Sequence, residues 1–127
     1  MQCLEVPRWL TIAESLILTT LRGELPQIGI LSEEAGYDGD ANYYWIVDPL
    51  DGSANFQHAS PIFGIAIALM DHQTAQASLI YLPARDEMFT AIRGQGAYLN
   101  DARIHVSEVD AINCEKHPPQ SRANLGR

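Results

Sequence analysis

The sequence predicts an α+β domain, an antiparallel sheet with flanking helices. Three observations carry this. Leu10, Ala13, Ile17 and Leu21 recur at intervals of three and four, with Glu14 and Arg22 off that stripe, which is the period of an amphipathic helix. From Gly64 to Val106, short apolar runs alternate with tight turns, the spacing of an antiparallel meander. The 127 residues are 46% hydrophobic and 19% charged, the balance of a globular chain of one domain. A chain of this size buries roughly two-thirds of its unfolded surface, enough for a real core.

The elements follow in order. Gly23 and Pro26 stop the first helix. Ile28 to Ser32 is a short apolar run, read as a buried strand that ends in Glu33 and Glu34. Gly36 to Asn42 is polar and glycine-containing, read as a loop. Tyr43 to Val47 is the next strand. Pro49 holds Asp48 extended and cannot donate to a ladder, so the strand is expected to end at Asp48. Asp51-Gly52-Ser53 reads as a turn feeding a helix start. Gly64 to Met70 is apolar throughout, as in a strand buried on both faces. Ala77 to Leu82, Met88 to Ile92, Ala97 to Leu99 and Ile104 to Val106 complete the meander. Residues 1–113 form the expected domain. Residues 114–127 contain one strong apolar residue, Leu125, and read as a disordered tail.

The bulk numbers exclude some classes. Sixteen acidic against eight basic residues give a net charge of −8, which argues against a nucleic-acid-binding surface. Cys3 and Cys114 make neither a disulfide framework nor a zinc cluster. No signal pattern or apolar run of membrane-spanning length is present, so a cytoplasmic protein with no membrane partner is expected.

The chemistry concentrates at two strand ends. Residues 45 to 56 read WIVDPLDGSANF, an apolar strand driven straight into Asp48 and Asp51. Glu33 and Glu34 end the preceding strand. Taken singly, a Glu-Glu or an Asp-x-x-Asp-Gly is usually an exposed turn or helix cap. Neighbouring strand ends can converge, however, and gathered carboxylates repel one another unless cations sit among them. Hard cations such as Mg²⁺ take such oxygen ligands and keep further positions for water and phosphate. The Leu50 carbonyl lies between the aspartates. Gly52 lets a phosphate approach the backbone, and the following N–H groups would hold it.

These residues carry a resemblance. WIVDPLDGSANF resembles the metal-binding signature of the inositol monophosphatase family, close to W-[IV]-[IV]-D-P-[IL]-D-G-[TS]-x-N-F. ILSEEAG resembles its upstream paired-glutamate motif, PIFGIAIAL its next strand, and YLPARDEMFTAIRGQGAYLNDARIHVS its next hairpin. The likeness runs from about Leu16 to Ser107. It implies the N-terminal half of the layered sugar-phosphatase fold. It implies Mg²⁺-dependent hydrolysis of inositol or sugar monophosphates by metal-activated water. Glu33, Asp48, Asp51 and the Leu50 carbonyl would be metal ligands, with Glu34 supporting. Gly52 and Ser53 would contact phosphate, Ser53 standing where a threonine often orients the attacking water. The implied partner is a small phosphate ester, and the resemblance allows a homodimer in full-length relatives.

Two departures temper the inherited activity. An aspartate expected just before the first amphipathic helix aligns with Leu10, which cannot accept a proton. The later W-D-x-A-A-G motif has no counterpart, since neither Trp9 nor Trp45 precedes an aspartate. A truncated member with weak or absent turnover is therefore expected. The alternatives are a bisphosphate nucleotidase, which Asn55-Phe56 disfavours because that branch carries K-E-F, and a non-catalytic binding or regulatory module. Gly94-Gln95-Gly96 reads as a hairpin turn rather than a nucleotide loop, and His58 as a surface residue.

Overall fold

A computed structural model of the chain describes residues 8–39 and 42–107. Helix α1 (Arg8–Glu24) is followed by strands β1 (Gly29–Ser32), β2 (Gly36–Asp38) and β3 (Tyr43–Asp51), then helix α2 (Ser53–Gln57). Strands β4 (Gly64–Asp71), β5 (Thr74–Leu82), β6 (Glu87–Ile92), β7 (Gly96–Leu99) and β8 (Ala102–Ile104) complete the order. All eight strands form one sheet, β2-β1-β3-β4-β5-β6-β7-β8. The α+β class stands, and β4 to β8 are the expected meander.

Helix α1 covers one face of the sheet. Leu18, Ile30 and Val47 are its buried centre, with Ile17, Leu21, Trp45 and Ile67 packed around them. The buried stripe is Leu10, Glu14 and Leu18, four residues apart, with Ala13, Ile17 and Leu21 half-buried beside it. Glu14 therefore lies on the buried stripe and not off it. Gly23 sits inside the last turn. The helix ends at Glu24, and Leu25 still donates to the Leu21 carbonyl at 2.9 Å.

Five further expectations are corrected. Gly36 to Asp38 is a strand rather than a loop, because its backbone pairs with β1 although its three residues are exposed. Strand β3 runs alongside β1 in parallel, while the other pairings described are antiparallel. Strand β3 continues through Pro49 to Asp51 instead of ending at Asp48. Strand β4 is half-buried along most of its length, since among the described residues only one face of the sheet is covered by helix. The last strand also falls earlier than expected, at Ala102–Ile104, and Val106 is 93% exposed.

The expected tail, Cys3 and Cys114 lie outside the described residues. No helix among the described residues is long and apolar enough to cross a membrane.

Candidate metal centre

Parallel pairing brings the C-terminal ends of β1 and β3 to the same edge. Ser32 lies opposite Val47, and the Glu33 N–H donates to the Val47 carbonyl at 3.1 Å. Glu33 therefore leaves one strand where Asp48 follows in the other. Glu33, Glu34 and Ala35 form the turn that joins β1 to β2.

Asp48 and Asp51 are three residues apart, so a regular strand would point them to opposite faces. The ladder is irregular there. Asp48 pairs with Ala66 and Asp51 with Gly64, so three steps on β3 match two on β4. The extra residue is a bulge, and it resets the alternation so that both aspartates line one cleft. Pro49 is buried at this point, where a residue without an N–H is tolerated. The Leu50 N–H donates to Asp48 Oδ1 at 3.0 Å, which fixes that carboxylate from its own chain.

Gly52 has φ +79°, and a Cβ there would stand 3.0 Å from the Ile62 carbonyl oxygen. Both facts favour glycine. The Phe56 N–H donates to the Gly52 carbonyl at 3.0 Å. Asn55 Nδ2 donates to the Ile62 carbonyl at 2.8 Å, and Phe56 meets Phe63 edge-on at 4.9 Å. The Asn-Phe pair thus pins α2 to the segment leading into β4.

The result is an open cleft of about 130 Å³ lined by Leu10, Glu33, Glu34, Asp48, Pro49, Leu50, Asp51, Gly52 and Ser53. Every residue that the sequence pointed to is gathered here. Leu10 lines the same cleft, presenting an apolar side chain where the resemblance expects a carboxylate. His58 is exposed, with Nδ1 2.7 Å from the Ala54 carbonyl, and does not line the cleft. Gly94 and Gly96 both have positive φ and belong to the β6–β7 hairpin.

The negative charge of Asp48 pushes the Glu33 carboxyl above the ordinary carboxylate range, with smaller contributions from burial, a hydrogen bond to Asp48, and the charges of Glu34 and Asp51. A hydrogen bond between two carboxyl groups requires a proton. A cation can take the place of that proton and relieve the repulsion. The donors are all hard oxygens, a set that suits Mg²⁺ rather than a soft metal. No three His, Cys, Asp or Glu side chains among the described residues are drawn together as a ready-made cage. The acids thus fit a divalent ion in the kind of donor they offer.

Sequence reasoning missed Glu14 and Ser32, which lie behind the cleft. The Ser32 hydroxyl donates to Glu14 Oε1, and so does the Ala35 N–H, at 3.0 Å. Counting in steps of four from Leu10 would have put Glu14 on the buried stripe.

Fold and cleft together define a class, a mixed α+β domain with carboxylates collected at adjacent strand ends. The family model "Inositol monophosphatase family" matches residues 5–124, and the chain belongs to that family. An inositol-1-monophosphatase of Mesorhizobium japonicum is 45% identical over 97 residues, which is 75% of this chain and 36% of that protein. A protein of Xylella fastidiosa named Nus factor SuhB is 38% identical over 102 residues, 80% of this chain and 37% of that one. The crystal structure of extragenic suppressor protein suhB from Bartonella henselae superposes with a TM-score of 0.78 at 42% identity, covering 82% of this chain and 42% of that one. The chain thus spans about two-fifths of the length of the relatives it matches.

Proposed function

We propose that the cleft is the metal-binding part of a Mg²⁺-dependent phosphomonoesterase site for inositol or sugar monophosphates. The observation that carries this reading is the convergence of Glu33, Asp48 and Asp51, from two parallel strand ends and a bulge, beside Gly52 and Ser53. Glu33, Asp48, Asp51 and the Leu50 carbonyl would hold the ion. Bound Mg²⁺ supplies Lewis acidity and neutralises phosphate charge. Gly52, lacking a Cβ, lets the phosphate approach the backbone, and Ser53 offers a hydroxyl to the phosphate or the attacking water. Leu10 offers no proton acceptor, so turnover by this chain is expected to be slow.

The test is phosphate release from inositol monophosphate and sugar phosphates, with and without Mg²⁺, beside Mn²⁺ binding followed by electron paramagnetic resonance. Asp51→Asn removes one ligand charge and should weaken Mn²⁺ binding by about tenfold or more, taking any Mg²⁺-dependent release with it. A folded chain that binds no divalent ion would sink the reading. Relatives named Nus factor SuhB favour a second reading, a binding or regulatory module, and for that reason the expectation of no nucleic-acid partner is not carried forward. Metal binding without release would favour it.

A further inference from the structure

Glu14 is a carboxylate with 8% exposure on the inner face of α1, and no cation pairs with it among the described residues. A buried carboxylate is costly unless its oxygens are used. Here one oxygen accepts twice, from the hydroxyl of Ser32, itself only 2% exposed, and from the Ala35 N–H at 3.0 Å. Those two donors flank Glu33 and Glu34. The turn is therefore tied on both sides to a single atom of α1, and from β3 by the Glu33 N–H to Val47 carbonyl bond at 3.1 Å. Leu10, one helical turn before Glu14, lines the cleft itself.

We propose that Glu14 is a positioning residue for the metal centre: it holds the Glu33-Glu34 turn so that Glu33 is presented to Asp48, without itself reaching the ion. The proposal rests on the reading of the cleft as a divalent-cation site. A merely structural role would make Glu14 an anchor of α1. In that case any equal loosening of α1 would have the same effect on the cleft.

The experiment measures Mn²⁺ affinity by electron paramagnetic resonance on the full 127-residue chain. It compares the parent with Glu14→Ala, Glu14→Gln, Ser32→Ala and Leu18→Ala, at a temperature where circular dichroism shows each folded. Residues that orient metal ligands from behind typically contribute a factor of about ten or more in affinity. Glu14→Ala should weaken Mn²⁺ about tenfold. Glu14→Gln keeps a carbonyl oxygen with two lone pairs and should stay within about threefold of the parent. Ser32→Ala, which removes one tie, should fall between them. Leu18→Ala loosens the same helix four residues on and should leave the affinity unchanged. Equal affinity in Glu14→Ala and the parent overturns the proposal, as does a loss in Leu18→Ala as large as in Glu14→Ala. If Glu14→Ala does not fold, parental affinity in Ser32→Ala overturns it. A parent that binds no Mn²⁺ overturns the metal-centre reading and this inference together, whereas a parent that binds separates the two.

Discussion

The two halves of the sheet are built differently. Strands β1 and β3 lie under α1, and the buried apolar side chains, Leu10, Leu18, Ile30 and Val47, come from these three elements. Strands β5 to β8 have no buried residue among those described, and Ile80, Met88 and Ile92 are 46%, 40% and 50% exposed. Their ladders are nonetheless continuous. An open apolar cavity of about 360 Å³, lined by Leu21, Trp45, Ile67, Leu79 and Ile92 among others, marks where cover thins out. Trp45 Nε1 is buried there with no hydrogen-bond partner. The carboxylates sit on the covered half.

The comparison can be broken at the core. Leu18→Ala should cost about 3 kcal/mol, since it removes a buried side chain from beneath the sheet. Urea unfolding followed by circular dichroism measures this. A cost near zero would mean that α1 does not hold the covered half.

At the cleft the comparison can be sharpened by pH. The folded-state pKa of Glu33 is raised, so folding favours its protonated form. The resulting stability is present at low pH and is lost as pH rises through the folded-state value. Without divalent ion, the melting temperature of the parent should decline over that interval relative to Glu33→Gln, and Mg²⁺ should oppose the decline. Parallel melting curves for parent and variant across pH would remove Glu33 as the cause.

The smallest effect belongs to the open half. Ile92→Ala removes a side chain already half exposed and should cost under about 1 kcal/mol by the same urea measurement. A cost matching Leu18→Ala would show that the open half is packed in solution.

The acids were legible in the sequence because each sits beside a residue with a fixed conformational meaning. Pro49 follows Asp48, Gly52 follows Asp51, and Glu33 follows an apolar run. The direction of pairing was not legible. Nothing local in Ile28 to Ser32 or Tyr43 to Val47 says that the two strands run parallel, because that is decided by the crossing of the chain between them. Strand β2 was hidden since its three residues are all exposed, with no buried-exposed alternation to betray it. Glu14 was hidden by its charge. A polar residue on an apolar stripe looks like the edge of the stripe until its partners, Ser32 and Ala35, are seen 18 and 21 residues on.

The bulge in β3 makes the interval between Asp48 and Asp51 a matter of counting rather than of chemistry. Straightening the strand without the bulge, at the same interval of three, would keep both aspartates yet turn one of them through the sheet to the opposite side. A residue added at the Gly94-Gln95 tip would fall in an exposed hairpin turn. Tolerance to insertion and deletion along this chain is thus set by where alternation must be kept in phase, and at the Pro49-Leu50 link the length of the interval and the bulge must match.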